Sequence, residues 1–399
     1  MQIRLFPPSL VLGLLSATGL FAIDMYLPSL PAIRESLHAN SSTVQASLMS
    51  FFIAMALSQL VYGPVSDMIG RKRPLYFGLM LFSVASVGCA LSPSIEWLIA
   101  FRFLQGMGAC AGVVIGRAIV RDLHTGVAAA RMMARLMLVF SVSPILAPLA
   151  GSIVTAFGDW RSIFWVMVAA AMLGLLLAIF CLEESRPEQS RSESSLSGAL
   201  NSYATLLRDP YYLGLVLMAS FGMSSYMIYV ASSSFVLIEH YGLSPSFYSV
   251  MFSINAVSFI GASQMNATLA RRYGLRRVVR TAVIGFAAAM STLFAVTALG
   301  FDRLDVMASL LFCGYGFLGL VIPTTAVLAL ESHGRIAGTA SALMGTLQFV
   351  TAAAVIGVGG QFFDGTSLPM VTVIAICAVI VLVLSTLTLR GTARVQPAE

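Results

Sequence analysis

Long apolar runs recur along the whole chain, and they restrict the folds that it can adopt. The first extends from Ser9 to Leu30 with one charged residue, and a helix needs about 20 apolar residues to cross the hydrocarbon core of a bilayer. Eleven runs of similar length follow, and only 10% of all residues are charged, against roughly 25% in soluble proteins. The sequence therefore predicts an integral membrane protein, whose first run is retained because it is too long for a signal peptide.

The order of the runs predicts an all-α protein with twelve membrane spans in two halves. The polar stretch from Glu183 to Pro210 lies between spans 6 and 7 and separates an N-terminal six-helix bundle (residues 1–182) and a C-terminal one (211–399). This cytoplasmic linker (183–210) is predicted to be flexible up to Ser195, where nothing can be buried, and then to form an amphipathic helix on the inner membrane face. The predicted spans are residues 9–30, 43–65, 74–92, 96–118, 131–157, 162–182, 211–238, 246–270, 277–300, 304–330, 336–362 and 368–389.

Basic residues are abundant in every second loop between the spans and scarce in the loops that alternate with these. If the N-terminus lies inside the cell, 19 of the 23 fall at cytoplasmic ends and loops, three fall in outer loops, and Arg102 lies within a span. Cytoplasmic loops of membrane proteins are enriched in Lys and Arg, so both termini are predicted to be cytoplasmic. The same rule accounts for the net charge of +6 without a nucleic-acid partner.

Asp24 is the one acidic residue of 17 that we place well inside a span. An ionisable group at such a depth is costly, and by default it marks an ion or substrate path. Arg102 in span 4 and Asp24 each lie six residues from the outer end of their spans, or about 9 Å below the same interface. We predict that Asp24 exchanges a proton and that Arg102 takes part in the coupling. The alternative for Arg102 is an arginine that snorkels to the outer interface.

A charged, glycine-containing loop between spans 2 and 3 is partly repeated in sequence between spans 8 and 9. The first reads GPVSDMIGRKR (residues 63–73), and 204 residues later the second reads RRYGLRR (271–277). Gly63 and Gly70 are predicted to permit a close backbone approach and a tight turn. Paired repeats give many transporters two gates around one central site. The alternative is a solvated loop that merely carries the positive charge of an inner face.

The first loop resembles the signature between helices 2 and 3 of the major facilitator superfamily, G-x-x-x-D-x-x-G-R-[KR]-[KR]. The resemblance implies two pseudo-symmetric six-helix bundles, in which Asp67 meets the start of span 11 near Gly338 and Arg71 pairs with Asp122. These contacts would latch an inner gate, and exposed ion pairs of roughly 0–1 kcal/mol are weak enough to open. The implied gate residues are Gly63, Asp67, Gly70, Arg71, Arg73 and Asp122.

Three further stretches resemble exporters of that superfamily. RFLQGMG (residues 102–108) is similar to the helix 4 motif R-x-x-Q-G-x-G, whose arginine is linked to proton coupling. SPILAPLAGS (143–152) is similar to the helix 5 antiporter motif, with Pro144, Pro148 and Gly151 at its core and small residues in place of three glycines; a structural kink is the alternative. DMYLPSLP (24–31) resembles the bicyclomycin/chloramphenicol-type exporters, the Bcr/CflA branch. This branch implies drug or metabolite export by proton antiport across a bacterial inner membrane.

Polar and aromatic residues in the spans expected to face the centre are candidates to line a substrate cavity. Aromatic residues at helical spacing can equally pack in the core or face lipid. The predicted partners are a small, largely apolar substrate, protons and the lipid bilayer, and the protein is predicted to be a monomer without a cofactor or a metal. The cavity candidates are Tyr26, Met55, Gln59, Gln105, Tyr226, Tyr229 and Asn255.

Other functions remain open from the sequence. Uptake or export of an endogenous metabolite, such as a nucleoside or an amino acid, would use the same machinery. A primary pump would need a nucleotide-binding GxxxxGK[ST] loop, which the sequence lacks. An intramembrane enzyme would need a catalytic constellation, but the four histidines lie in loops or at span ends. A channel does not account for two echoing halves.

Overall fold

The computed structural model describes residues 8–123, 126–186, 196–333 and 336–390. Within these ranges, eleven helical segments are long and apolar enough to cross a membrane. A shorter apolar segment, Ser141–Phe157, forms the second part of the 32-residue helix Gly126–Phe157. The predicted all-α architecture with twelve spans is therefore confirmed.

The observed helices follow the predicted order, and most extend a few residues beyond the predicted bounds. The predicted amphipathic helix after span 6 is present as Leu196–Leu207. Span 1 is interrupted and consists of Pro8–Asp24, a 3-10 turn at Leu27–Ser29 and Leu30–Ser36. Spans 2 to 12 are Ser41–Ile69, Lys72–Ala90, Ile95–Leu123, Gly126–Phe157, Arg161–Cys181, Pro210–Ser234 with a π-helical end Phe235–His240, Pro245–Tyr273, Leu275–Ala298, Leu304–Glu331, Ala337–Gln361 and Ser367–Arg390.

The chain forms two compact units, Met1–Leu200 with Ser244–Val250 and Asn201–Leu243 with Met251–Glu399. Within the first unit, span 1 packs on spans 4, 5 and 6, and span 3 packs on spans 4 and 6. Within the second unit, span 7 packs on spans 10, 11 and 12, and span 9 packs on spans 10 and 12. Each of these pairings recurs six spans later, so the echo between the two loops reflects a repeat of the helix packing. The division into domains at residues 182 and 211 stays a prediction.

Glycines of span 4 allow this span to touch its neighbours at the backbone. A β-carbon on Gly108 would lie 2.5 Å from the backbone oxygen of Gly78 and 2.5 Å from the backbone nitrogen of Phe82, both in span 3. A β-carbon on Gly106 would collide with the backbone oxygen of Phe51 in span 2. The two glycines that follow Arg102 in its motif therefore set how closely spans 2 and 3 approach span 4.

The sequence predicts a close backbone approach at Gly63, and this prediction is wrong. Gly63 lies inside the long helix of span 2, and a β-carbon there would meet nothing within 4 Å in the part of the chain that the structure describes. The tight turn predicted at Gly70 is present, because this residue ends the helix with a φ of 93°. Gly274 has the same role after span 8, with a φ of 80°. Only glycine adopts such angles without strain.

Candidate functional site

Asp24 is the last residue of the first helix of span 1, which the sequence predicted over residues 9–30. Proline lacks a backbone N–H and its ring collides with the carbonyl four residues earlier. A continuous helix would place the ring of Pro28 against the carbonyl of Asp24 and the ring of Pro31 against the carbonyl of Leu27. The two prolines therefore prevent the helix from continuing beyond Asp24. Residues with such irregular backbone are tolerated at membrane depth only where protein surrounds them or water reaches them, and Met25, Tyr26 and Leu27 are indeed buried.

The Asp24 side chain is buried to 6% exposure and has no hydrogen-bond or ion-pair partner among the described residues. Burial disfavours an ionised carboxylate, and the negative end of a helix dipole disfavours it further. Both effects favour the neutral carboxylic acid in this conformation.

Arg102 is fully buried, so it does not snorkel to the interface. Its Nη1 donates to the backbone oxygen of Ala22 at 3.0 Å and to Oε1 of Gln105 at 2.6 Å. Its guanidinium lies over the rings of Tyr26 and Phe51, at 4.6 and 4.4 Å from their centroids. Aromatic faces stabilise a cation that has lost water. These contacts hold a positive charge at the break in span 1.

The guanidinium retains spare hydrogen-bonding capacity, because its Nε and Nη2 have no partner in the described residues. No acidic side chain of the described ranges lies within 4.0 Å of it, so Arg102 and Asp24 form no ion pair in this conformation. The contact with Ala22, two residues before Asp24, agrees with the matching depths predicted from the sequence. A buried donor without a partner is costly and can be satisfied by a ligand or by a rearranged side chain.

Neighbouring side chains keep Arg102 in place. Nε2 of Gln105 donates to Oγ of Ser86 at 2.7 Å, and the hydroxyl of Tyr26 shares a 2.9 Å hydrogen bond with Oγ of Ser47. Gln105 and Tyr26, both predicted to line a cavity, are fully buried around Arg102. Sequence reasoning missed Ser47, Ser86 and Phe51, because serines and phenylalanines occur in most spans.

Span 5 packs directly on the break in span 1. Pro144 and Pro148 lie inside its helix, and a β-carbon on Gly151 would collide with the backbone oxygen of Met25. The close helix packing that the antiporter-like motif predicts is therefore found at Gly151. Any larger residue at this position would displace the peptide group that follows Met25.

In the second unit, aromatic rings of spans 7, 8 and 10 form one cluster. Tyr229 stacks on Phe252 with ring centroids 5.6 Å apart, and Tyr226 contacts Phe259 and Tyr315 at 5.7 and 5.3 Å. Such pairs stabilise beyond the area that they bury. The structure thus brings together two of the predicted cavity residues in one aromatic cluster.

Asn255 supplies the polar group of this cluster. Its Nδ2 donates to the hydroxyl of Tyr229 at 2.9 Å, while its Oδ1 is buried without a partner among the described residues. Sequence reasoning missed Phe252 and Phe259, although their spacing of three and four residues from Asn255 places all three on one helix face. Met55 and Gln59 of the first unit are also buried, and their role in a cavity stays a prediction.

The loop between spans 2 and 3 forms the ion pair that the resemblance implied. Arg71 Nε lies 2.7 Å from Oδ2 of Asp122 and its Nη2 lies 2.8 Å from Oδ1 of Asp67, while Nη1 donates to Oγ of Ser66 at 2.7 Å. Burial acts to lower the pKa of Arg71, but the two carboxylates outweigh it and hold the pKa above its ordinary value. The contact expected between Asp67 and span 11 joins the two units and stays a prediction.

The assumption of a weak, exposed latch is wrong for Arg71 and Asp122. Their side chains are only 3% and 14% exposed. A buried pair that loses one partner leaves an uncompensated charge, which costs about 3–5 kcal/mol against roughly 0–1 kcal/mol for an exposed pair. The loop between spans 2 and 3 (residues 63–73), called the gate loop below, is therefore held firmly in this conformation.

The first residues of the predicted flexible linker are docked on the gate loop, so that prediction is wrong for residues 183–186. The Glu184 carboxylate accepts hydrogen bonds from the backbone nitrogens of Arg71 at 2.8 Å and Lys72 at 3.1 Å. Ser185 donates to Asp122 at 3.0 Å, and Nζ of Lys72 donates to the backbone oxygen of Leu182 at 2.7 Å. A carboxylate at the start of a helix is favoured by the free N–H groups and the dipole. Residues 187–195 lie outside the described residues.

The repeated helix packing and the buried polar groups are those of a membrane transport protein. Residues 12–357 match the family model of the Major Facilitator Superfamily. The chain therefore belongs to the major facilitator superfamily, as its motifs predicted.

Several bacterial relatives cover most of the chain. The uncharacterized MFS-type transporter YdgK of Bacillus subtilis is 36% identical over 93% of this chain and 92% of its own length. The bicyclomycin resistance protein homolog of Haemophilus influenzae is 31% identical over 93% of each chain. The multidrug resistance protein MdtL of Escherichia coli is 28% identical over 84% of this chain and 85% of its own.

Solved structures share the fold. The nucleoside transporter NupG superposes with a TM-score of 0.76 at 13% identity, over 97% of this chain and 100% of the other. A D-xylose–proton symporter superposes with a TM-score of 0.71 at 16% identity, over 98% of each chain. At these identities, the similarity concerns the fold alone.

Proposed function

We propose that this transporter exports small, largely apolar drugs or related metabolites by proton antiport with alternating access. The observation that carries the proposal is the Asp24 carboxyl, which is buried without a partner among the described residues at a break in span 1, two residues after the Ala22 carbonyl that accepts a hydrogen bond from Arg102. The relatives named for bicyclomycin and multidrug resistance support the choice of cargo. We further propose that the protein lies in a bacterial inner membrane as a monomer with both termini in the cytoplasm.

The proposed cycle depends on how the surroundings of Asp24 change between the two conformations. When the cavity faces outward, Asp24 releases cargo and gains a proton from outside. The neutral acid then tolerates the apolar surroundings as the protein turns inward. There, cargo binding and the nearby charge of Arg102 favour loss of the proton to the cytoplasm. Each cycle therefore moves cargo outward in exchange for inward movement of a proton.

The energy of the proton gradient is sufficient for this exchange. A proton-motive force of about 150 mV supplies roughly 3.5 kcal/mol per proton, since 100 mV corresponds to about 2.3 kcal/mol per charge. This energy sustains roughly a 300-fold gradient of a neutral cargo. No nucleotide hydrolysis is required.

The direction of transport separates export from uptake. In inside-out membrane vesicles whose lumen is acidified, an antiporter is expected to accumulate cargo in the lumen, whereas a proton symporter with the same topology would expel it. The cargo for this measurement is chosen by comparing the growth of cells that express the protein with cells that express Asp24→Asn, over a panel of inhibitors and nucleosides. Expulsion of the cargo from acidified vesicles would refute antiport.

Removal of the gate arginine is expected to open the inner side of the first unit. Arg71→Ala leaves Asp67 and Asp122 without their shared cation, so the gate loop should separate from span 4 more often. A cysteine at Gln59 in a cysteine-free background is then expected to react with a membrane-impermeant maleimide at least about tenfold faster, as for a loss of about 1.4 kcal/mol. The control is Arg303→Ala, which breaks an exposed ion pair with Asp305. Equal labelling rates in Arg71→Ala and the parent would contradict the latch.

A further inference from the structure

Each unit carries a groove at an equivalent position, beside the gate loop in the first and beside its repeat in the second. One lies between spans 2, 3 and 4 and has a volume of about 360 Å³, and the other lies between spans 8, 9 and 10 with about 280 Å³. Adding 204, the offset between Gly70 and Gly274, to residues 65, 69, 73, 74 and 77 of the first groove gives 269, 273, 277, 278 and 281. All five of these positions line the second groove, so the repeat has kept the groove and its arginine while the other four side chains have changed.

The walls of both grooves are apolar and open to the outside of the protein. Val61 and Phe77 in the first groove are 57% and 63% exposed, and Tyr273 in the second is 47% exposed. Large apolar side chains that stay exposed on membrane spans face the hydrocarbon of the bilayer. The grooves are therefore accessible to lipid acyl chains.

Each groove has one arginine at its end, Arg73 in the first turn of span 3 and Arg277 in the first turn of span 9. Both side chains are exposed. Across the described residues, no carboxylate lies within 4.0 Å of either one, whereas the neighbouring Arg71 is neutralised by two. A cation without an acidic partner at the end of an apolar groove is complementary to an anion that carries an alkyl chain.

We propose that each groove binds one anionic phospholipid, with an acyl chain along the groove and the phosphate on Arg73 or Arg277. A guanidinium is well suited to this contact because its planar fork can hold two phosphate oxygens at once. Basic pockets between spans on the cytoplasmic side bind anionic headgroups in other membrane proteins. This inference does not depend on the cargo or on proton coupling, because none of the residues that hold Arg102 or Asp24 lines either groove.

Native mass spectrometry of the purified full-length protein tests the proposal. Dioleoylphosphatidylglycerol and dioleoylphosphatidylcholine have the same acyl chains and differ in headgroup charge. Two phosphatidylglycerol molecules are expected to bind more tightly than any phosphatidylcholine. Arg73→Gln and Arg277→Gln should each weaken one of the two sites about tenfold, as for the loss of a charge-assisted hydrogen bond, and the double variant should lose both.

Two further variants separate the groove from general positive charge. Arg208→Gln removes an exposed arginine outside both grooves and should leave both sites unchanged. Val61→Trp fills the first groove while it keeps Arg73, and should remove one bound lipid. Equal binding of the two lipids, or two undiminished sites in the double variant, would overturn the proposal.

Discussion

Asp24→Asn is expected to abolish the accumulation of cargo that a proton gradient drives, while the protein still inserts into the membrane. The asparagine side chain has nearly the same shape and volume as that of a protonated aspartate. The break in span 1 and its packing against Gly151 should therefore persist. An amide cannot release a proton at any physiological pH. The variant should therefore exchange cargo downhill and reach a concentration ratio near one, against a ceiling of roughly 300 for the parent protein.

The measurement is cargo uptake into acidified inside-out vesicles, with quenching of a pH-sensitive dye to follow proton release. In the parent protein, addition of cargo should cause protons to leave the lumen; in Asp24→Asn, it should not. Asp305→Asn is the matched control, because Asp305 is 63% exposed and lies at an end of span 10. Wild-type accumulation by Asp24→Asn would show that the proton is carried elsewhere.

Gly108→Ala is expected to lower the stability of the first unit markedly. The new methyl group would lie 2.5 Å from two backbone atoms of span 3 and 2.8 Å from a third. Backbone cannot move aside as a flexible side chain can, so spans 3 and 4 must separate. Overpacking of this kind costs about 1–3 kcal/mol, and the displacement of span 4 would also disturb the contact between Arg102 and Ala22.

Gly63→Ala is the matched control for this substitution. It adds the same methyl group to a neighbouring helix, where nothing lies within 4 Å of the new atom in the described part of the chain. Since alanine favours a helix over glycine by roughly 0.5–1 kcal/mol, the thermal unfolding midpoint in detergent should rise slightly or stay level. The midpoint of Gly108→Ala should fall by several degrees. A fall of equal size in both variants, or no fall in Gly108→Ala, would show that the contact with span 3 does not determine the result.

Much of the architecture follows from the sequence because it depends on local properties. The length and hydropathy of each run predict its span, and charge alternation predicts which loops share a side. Asp24 stands out as a carboxylate in an apolar run, and the matching depth of Arg102 follows from residue counting along two helices. The twelve spans and the repeat needed no knowledge of tertiary contacts.

The tertiary structure decided what each of these groups touches. Pro28 and Pro31 were visible in the sequence, yet only the structure shows that the first helix ends at Asp24. Arg102 contacts Ala22 across 80 residues, and Glu184 contacts Arg71 across 113. Such pairs depend on how the helices pack, and membrane helices pack through close contact of small residues as much as through hydropathy. A pattern along one helix therefore identifies a buried charge, but the neighbouring helices determine its partner.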